Sequence, residues 1–268
     1  MNFLSLGLGV QSTAIYLMAA KGILNIKIDY AIFADTKAEN PETYKYLKYL
    51  KNLQKLNNWP PIVITSNGSI IKHIQSGKSP SLPLFTNGKS GGLLNRQCTS
   101  YFKINPVKRT IKKLYGLKTR QKAPLTKIYL GISSDEIRRL KYSEVNWIIK
   151  SYPLVGYEST KNDFIKYSNN KISRADCLAF FKKYNFKTPP KSSCFFCPYQ
   201  KPEEWQKLKK ETPKLFELAA QLEDKIQENP KLKNSAFFSR ELKPLRKADF
   251  KKDQLNAFEN CDSGFCGS

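Results

Sequence analysis

The first eighteen residues constrain the fold more tightly than any other stretch. An apolar run, Met1 to Leu6, leads into Ser5-Leu6-Gly7-Leu8-Gly9-Val10-Gln11-Ser12-Thr13, and an apolar helical pattern, Ala14-Ile15-Tyr16-Leu17-Met18, follows at once. A strand, a turn with glycines and hydroxyls, then a helix is the layout of an anion site. Glycines let the backbone approach closely, and the first N–H groups of the helix point at the ligand with the helix dipole behind them. Ser5, Ser12 and Thr13 add hydroxyl donors, so phosphate or pyrophosphate is the expected ligand. The same residues also suit a strand-to-helix turn that binds nothing. The run is not a Walker loop, because no Gly-Lys-Ser/Thr follows the glycines, and it lacks the spacing of the dinucleotide fingerprint.

The alternation continues through the first half of the chain. Strand candidates are Asn2–Leu6, Ile28–Ala34, Pro61–Thr65 and Lys127–Ile132, and helical patterns cover Ser12–Lys21, Pro41–Asn57 and Ser69–Gln75. Short apolar strands alternating with helices predict an α/β fold, a mostly parallel sheet with helices on both faces. Ligands of such sheets bind outside the carboxyl ends of the strands. Ser5–Thr13, Asp35-Thr36 and Ser133–Arg139 all fall at such ends. From Ser76 to Asn95 the chain is polar and rich in Gly, Pro and Ser, which suggests a lid or substrate loop. A basic helix with Pro106 in its first turn is expected over Asn105–Tyr115. After Ser151 the strand rhythm fades, and Ser173–Tyr184, Pro202–Lys210 and Pro213–Glu228 read as helices. Two regions are therefore expected: a nucleotide-binding α/β domain over 1–150, and a small helical, cysteine-bearing region over 151–268.

The 268 residues suffice for a full core, and a hydrophobic content of 40% fits a globular protein. No Lys or Arg precedes the first apolar run, and polar residues interrupt it, so neither a signal peptide nor a membrane span is expected. That makes the cytoplasm the expected location. The net charge of +24 would concentrate any polyanion, tRNA or DNA included. The lysines are scattered, however, and runs such as Lys45-Tyr46-Leu47-Lys48 also fit a solvated helix face.

Asp35 ends the second strand with Thr36, and its carboxylate can hold Mg²⁺ through water or accept from adenine or ribose. Glu39 and Glu42 flank Asn40-Pro41 and read as helix-capping acids. Gly131 would let a base or ribose lie against the backbone, while Arg138 and Arg139 offer forked donors to phosphate or sulfate. Six cysteines stand at positions 98, 177, 194, 197, 261 and 266. In Ser193-Cys194-Phe195-Phe196-Cys197-Pro198 two thiols three positions apart can share a metal centre, form a redox pair, or simply be half-buried. Cys98, in a polar, basic setting, is a third candidate ligand; Cys177, beside Phe180-Phe181, reads as core. Trp59, Trp147 and Trp205 read as packing residues. With His73 the only histidine, no Ser-His-Asp hydrolase can be built.

These runs, in this order, resemble the N-type ATP pyrophosphatases, and within them the phosphoadenosine-phosphosulfate reductase-like group. The first loop resembles the pyrophosphate loop, with Leu8 where relatives usually have glycine and Gln11 where many have Asp. Asp35 to Thr43 is similar to Asp-Thr-Gly-x-Glu-x-Pro-Glu-Thr, with Lys37 in place of glycine. Gly131 to Arg139 is similar to Gly-x-x-x-Asp-Glu-x-x-Arg. Both the Cys98-Thr99-x-x-x-Lys103-Ile104 run and the Cys194–Tyr199 run match the reductase-like group. The resemblance implies ATP or an adenylyl sulfate nucleotide held by Ser5, Gly7, Gly9, Val10, Gln11, Ser12, Thr13, Asp35, Thr36, Gly131 and Arg138, with Mg²⁺. It implies catalysis by Ser12, Asp35 and Arg139, through adenylation of a substrate followed by sulfur transfer. Cys98, Cys194 and Cys197 would then hold an iron–sulfur cluster of the 4Fe–4S type, or zinc. One upstream cysteine stands where adenylyl-sulfate reductases have a pair. The alternatives are a thiol-dependent reductase using Cys266, whose tail lacks the histidine such enzymes carry, and an inactive zinc-bearing nucleic-acid-binding module. A sulfur donor or thioredoxin-like protein is an implied partner.

Overall fold

The computed structural model describes residues 1–77, 82–87, 92–118, 120–230 and 232–250. The chain opens with β1 (Asn2–Ser5), α1 (Val10–Ala20), β2 (Tyr30–Ala34), α2 (Pro41–Leu56), β3 (Ile62–Thr65) and α3 (Ile70–Gln75). Next come β4 (Phe85–Thr86), β5 (Gly92–Leu93), α4 (Asn105–Leu114), β6 (Thr126–Tyr129), β7 (Ile148–Tyr152), β8 (Tyr157–Ser159) and β9 (Phe164–Lys166). The described part ends with α5 (Arg174–Lys183), α6 (Pro202–Glu211), α7 (Pro213–Gln227) and β10 (Ala236–Phe237).

Seven strands form one sheet in the order β3-β2-β1-β6-β7-β8-β9. The first five are parallel, with Phe3 of β1 level with Tyr30 of β2 and with Ile128 of β6; β8 and β9 complete the sheet antiparallel. The α/β architecture with a mostly parallel sheet is therefore as expected. Strand order reverses at β1, so β1 and β6 bound the crevice where such sheets bind ligands. β10, β4 and β5 make a second, small antiparallel sheet.

Alternation along the strands divides the core. Leu4, Ala31, Phe33 and Tyr129 face α1, α2 and α5, whereas Phe3, Ile32, Ala34 and Ile128 face α4 with Val107 and Ile111. Helix α1 carries no charge and is buried from Val10 to Met18, as a helix closed between sheet and helix must be. Helix α5 closes it from outside. Its start is fixed by a capping box in which Ser173 Oγ accepts from the Asp176 N–H at 3.1 Å and Asp176 accepts from the Ser173 N–H at 2.8 Å. Cys177 on α5 is fully buried in this core, as read from the sequence.

The helices after residue 200 build a third cluster with Phe195, Phe196, Trp205 and Phe238. Trp205 stacks near Phe238 and Phe250, and Trp59 meets Tyr16 and Phe186 edge-on, so both are packing residues. The sheet runs past residue 150, since β7 spans that position and β8 and β9 extend the same sheet. Antiparallel edge strands with one wet face need no continuous apolar run. The proposed lid includes residues 78–81 and 88–91, which lie outside the described residues. Its flanks pair as β4 and β5, with Leu82 and Leu84 buried. No helix among the described residues is long and apolar enough to cross a membrane.

Candidate active site

The loop between β1 and α1 lies at the strand-order reversal. Within α1 the Thr13 N–H donates to the Gly9 carbonyl at 3.1 Å, so the preceding N–H groups of the first turn lie upstream of the helix's own ladder. Gly9 occupies the N-cap and has no side chain with which to block them. Leu8 has φ of +58°, the left-handed region that favours glycine, and its side chain is fully buried in the α1 core. The backbone shape of a glycine-rich loop is thus kept without the glycine. Leu8 is not among the residues lining the three cavities described below. Ser12 Oγ turns back to donate to the Gly9 carbonyl at 3.3 Å.

Gly131 has a tighter reason to be glycine than an approaching base. A Cβ there would stand 2.6 Å from Ser12 N and 2.9 Å from Ser12 Cα. The turn after β6 packs directly on the α1 backbone. Side chains tie the same two elements together: Gln11 Nε2 donates to Glu136 at 3.2 Å and to Ser133 Oγ at 3.4 Å, and Arg139 pairs with Glu136 at 2.9 Å. Arg174 of α5 donates to Gln11 Oε1 at 3.3 Å. Burial raises the Glu136 pKa, opposed by Arg139. Arg138 is exposed.

After β2 the carboxylate of Asp35 is engaged on both oxygens. Oδ1 accepts from the Lys37 N–H at 2.7 Å and from Tyr44 Oη at 2.8 Å, and Lys37 Nζ lies 2.7 Å from Oδ2. Lys37, at φ +59°, is a second non-glycine residue in the left-handed region at a position where the resembling motif has glycine. An Asp35 held in this way does not fit a Mg²⁺ ligand, because the cation would have to displace Lys37. Glu39 is not a helix cap. It is buried, ion-paired to Lys103 at 3.3 Å, and accepts from the hydroxyl of Thr36 at 3.2 Å and that of Ser192 at 3.5 Å.

Glu39 leads to the cysteines. It forms an antiparallel bridge with Cys194, extended by Phe195 N–H to Ala38 carbonyl (2.9 Å) and Asn40 N–H to Ser193 carbonyl (3.3 Å). The Cys194–Cys197 turn is thereby clamped against the chain leaving β2. A cavity of about 700 Å³, open to solvent, is lined by Cys98, Cys194 and Cys197 together with Arg96, Lys103 and Lys191. Sequence reasoning named the three thiols but not the three cations around them. Only the Cys-Thr-x-x-x-Lys spacing hinted at Lys103.

That lysine sits in a five-residue π-helical turn, Ser100–Ile104, running straight into α4. Pro106 lacks the N–H that a regular helix would offer to the carbonyl of Phe102, which fits a wider turn there. Burial disfavours the Lys103 charge, but Glu39 and the thiols of Cys194 and Cys197 outweigh it and raise its pKa. Burial pushes Cys197 up to about 11 and Cys194 well above its ordinary value; Cys98 is also raised by burial, against Arg96 and Lys103.

Three thiols with flanking cations are the donor type of an iron–sulfur cluster, whose binding would deprotonate them. Among the described residues no three His, Cys, Asp or Glu side chains converge closely enough for a single ion. Ser193 Oγ, on the wall of this cavity, is buried without a hydrogen-bond partner. The donor set and this orphaned hydroxyl fit a larger polar group. Cys261 and Cys266 lie outside the described residues.

Two smaller cavities connect these parts. One, of about 250 Å³, is lined by Ser5, Leu6 and Gly7 of the loop with Lys103 and Val107. The other, of about 380 Å³, takes Ser5 and Val107 again, then Ile128, Ile148, Glu144 and Lys150. Lys103 is thus a wall of both the loop cavity and the thiol cavity, and Ser5 belongs to both smaller ones. Asp35, Arg138 and Arg139 line none of the three.

No protein-family model matches the chain, and no curated protein matches it. Among solved structures it is similar to phosphoadenylyl-sulfate (PAPS) reductase from Candida auris, determined as a phosphate complex. The identity is 15% and the TM-score 0.44, over 70% of this chain and 75% of that one.

Proposed function

We propose that the protein is a nucleotide-activating enzyme of the ATP-pyrophosphatase type, which adenylates a substrate and directs a sulfur nucleophile onto it. The observation that carries this reading is the position of Lys103, a half-buried cation on the wall shared by the Ser5–Gly7 cavity and the thiol cavity. The loop supplies N–H donors and Ser5, and Lys103 supplies the charge that a pyrophosphate needs.

A substrate oxygen attacks the α-phosphorus of ATP while the bond to the bridging oxygen breaks, and pyrophosphate leaves with the electron pair. Donors already aimed at that oxygen stabilise the charge as it develops. A sulfur nucleophile then displaces AMP. When bound at Cys98, Cys194 and Cys197, an iron–sulfur cluster with an open iron would supply a place to hold that sulfur. Arg96 would face the thiolates there, beside Lys103 and Lys191, which are paired with Glu39 and Glu204. No step is assigned to Mg²⁺.

Calorimetry on anaerobically purified protein tests the reading. Wild type binds ATP, and Gly7→Val, which adds bulk at a residue lining the loop cavity, binds it at least ten-fold more weakly while keeping its circular dichroism. Iron and sulfide accompany the wild type and are lost with Cys194→Ser. Wild type that binds no ATP removes the proposal, and colourless, zinc-loaded protein removes the cluster.

A further inference from the structure

The far edge of the sheet carries a surface that the reaction above does not use. Strand β9 is exposed along its whole length, and Ile165 on it is 56% exposed. Phe164 meets the ring of Tyr142, itself 50% exposed, with centroids 4.4 Å apart. Tyr167 is exposed just beyond. Lys141, Lys161, Lys166 and Lys171 flank these residues along the chain and are exposed. Asp163 is the only acid from residue 160 to residue 171.

By strand alternation Ile165 and Tyr167 fall on the opposite face from Phe164, so the aromatic surface at this edge is the Tyr142–Phe164 pair, and an exposed aromatic pair of this kind points to an occupant. A second copy of the chain is disfavoured on two grounds. Lysines on an edge strand oppose strand-to-strand pairing, and two chains of net charge +24 repel. The complementary partner is a polyanion with flat apolar faces. Aromatic side chains interleaved with lysines are how single-stranded nucleic acid is held without regard to sequence.

The surface is also continuous with the candidate site. Phe164 pairs with Ser159, and Ser159 with Lys150, so all three lie on the sheet face that packs against α4. Lys150 Nζ donates to the Tyr142 carbonyl at 2.8 Å and lines the cavity that includes Ser5.

We propose that Tyr142 and the β8–β9 hairpin form a platform for single-stranded nucleic acid, with Tyr142 and Phe164 stacking on bases and Lys141, Lys161 and Lys166 meeting phosphates. The platform delivers a base-bearing substrate to the loop; only this delivery role rests on the nucleotide-activating reading, and the binding does not.

The test is fluorescence anisotropy of the full-length protein without ATP, using labelled twenty-nucleotide single-stranded RNA, single-stranded DNA and duplex DNA over a salt series. Either single strand binds more tightly than the duplex, and the preferred one identifies the source of the substrate. Tyr142→Ala/Phe164→Ala weakens binding at least about five-fold for each base that loses its stack. Lys161→Glu/Lys166→Glu lowers the salt slope by about 1.4, at roughly 0.7 per phosphate contact. Ultraviolet crosslinks map to residues 141–167.

Equal binding of duplex, unaltered binding by both variants, or crosslinks confined elsewhere would overturn the platform. Capture of an acidic protein by this edge in place of single strands would overturn it as well. Because all four altered residues are exposed, the variants keep wild-type circular dichroism. ATP calorimetry on the aromatic variant separates the two proposals: retained ATP binding with lost strand binding, or the reverse, assigns the failure to one of them.

Discussion

Leu8 offers the sharpest test of how the loop is built. Its side chain is fully buried among Leu4, Leu6 and Ile15, and its backbone sits at φ +58°. Truncation to alanine leaves a cavity and costs about 3–5 kcal/mol. Going on from alanine to glycine loses about 0.8 kcal/mol of methyl burial. Chain flexibility adds about 0.5–1 kcal/mol more against glycine. At this position, however, glycine relieves about 1–2 kcal/mol of left-handed strain. The alanine and glycine variants should therefore be equally stable within about 1 kcal/mol.

Leu17 is the control, because it is equally buried in the same cluster but lies inside α1. There the strain term is missing, and glycine should be worse than alanine by about 1.5–2 kcal/mol. Urea unfolding followed by helical circular dichroism measures all four variants. A Leu8→Ala cost below about 1 kcal/mol would show that the side chain is not in the core. A glycine deficit at position 8 as large as at position 17 would refute the strain argument. ATP affinity should change less than three-fold in either Leu8 variant that remains folded.

Two other perturbations follow from the buried charges. Lys103→Met leaves the Glu39 carboxylate buried without its cation and should cost about 3–5 kcal/mol by thermal or urea unfolding. Adding Glu39→Gln should recover most of that stability but none of the ATP binding, since the cation at the loop is still gone. Glu223 on α7 accepts from the N–H groups of Phe238 and Leu245, both at 2.7 Å. Burial raises its pKa from 4.5 to about 7, with those two N–H groups acting against the rise. A carboxyl raised on folding favours the folded state below pH 4.5, and that contribution is lost as pH climbs through about 7. Between pH 5 and 8 the wild type should lose about 2–3 kcal/mol more stability than Glu223→Gln. Parallel pH profiles for the two proteins would contradict the assignment.

Local signals carried the first half of the fold. The apolar runs behind Ser5 and Ala34, and the turn residues after them, marked strands and helices whose order predicts a parallel sheet. The strands β8 and β9 were not legible, because they lie toward an edge where Glu158 and Lys166 are as acceptable as apolar residues. Glycine was misjudged in both directions. Leu8 and Lys37 show that a left-handed turn survives without it, and Gly131 is required where the turn after β6 packs on the backbone of α1.

The sequence by itself determined the chemistry available: hydroxyls and glycines before a helix, three thiols near basic residues, and a strongly positive chain. Only the tertiary structure decided which of these groups meet. Asp35, prominent in sequence, is taken up by Lys37 and Tyr44. Lys103 was one lysine among many, yet it stands on the wall between the loop and the thiols. Spacing along a chain fixes what lies within a turn or two of itself. Burial and pairing of a charge depend on segments far apart in the chain, as where Glu39 bridges to the turn at Cys194 and pairs with Lys103.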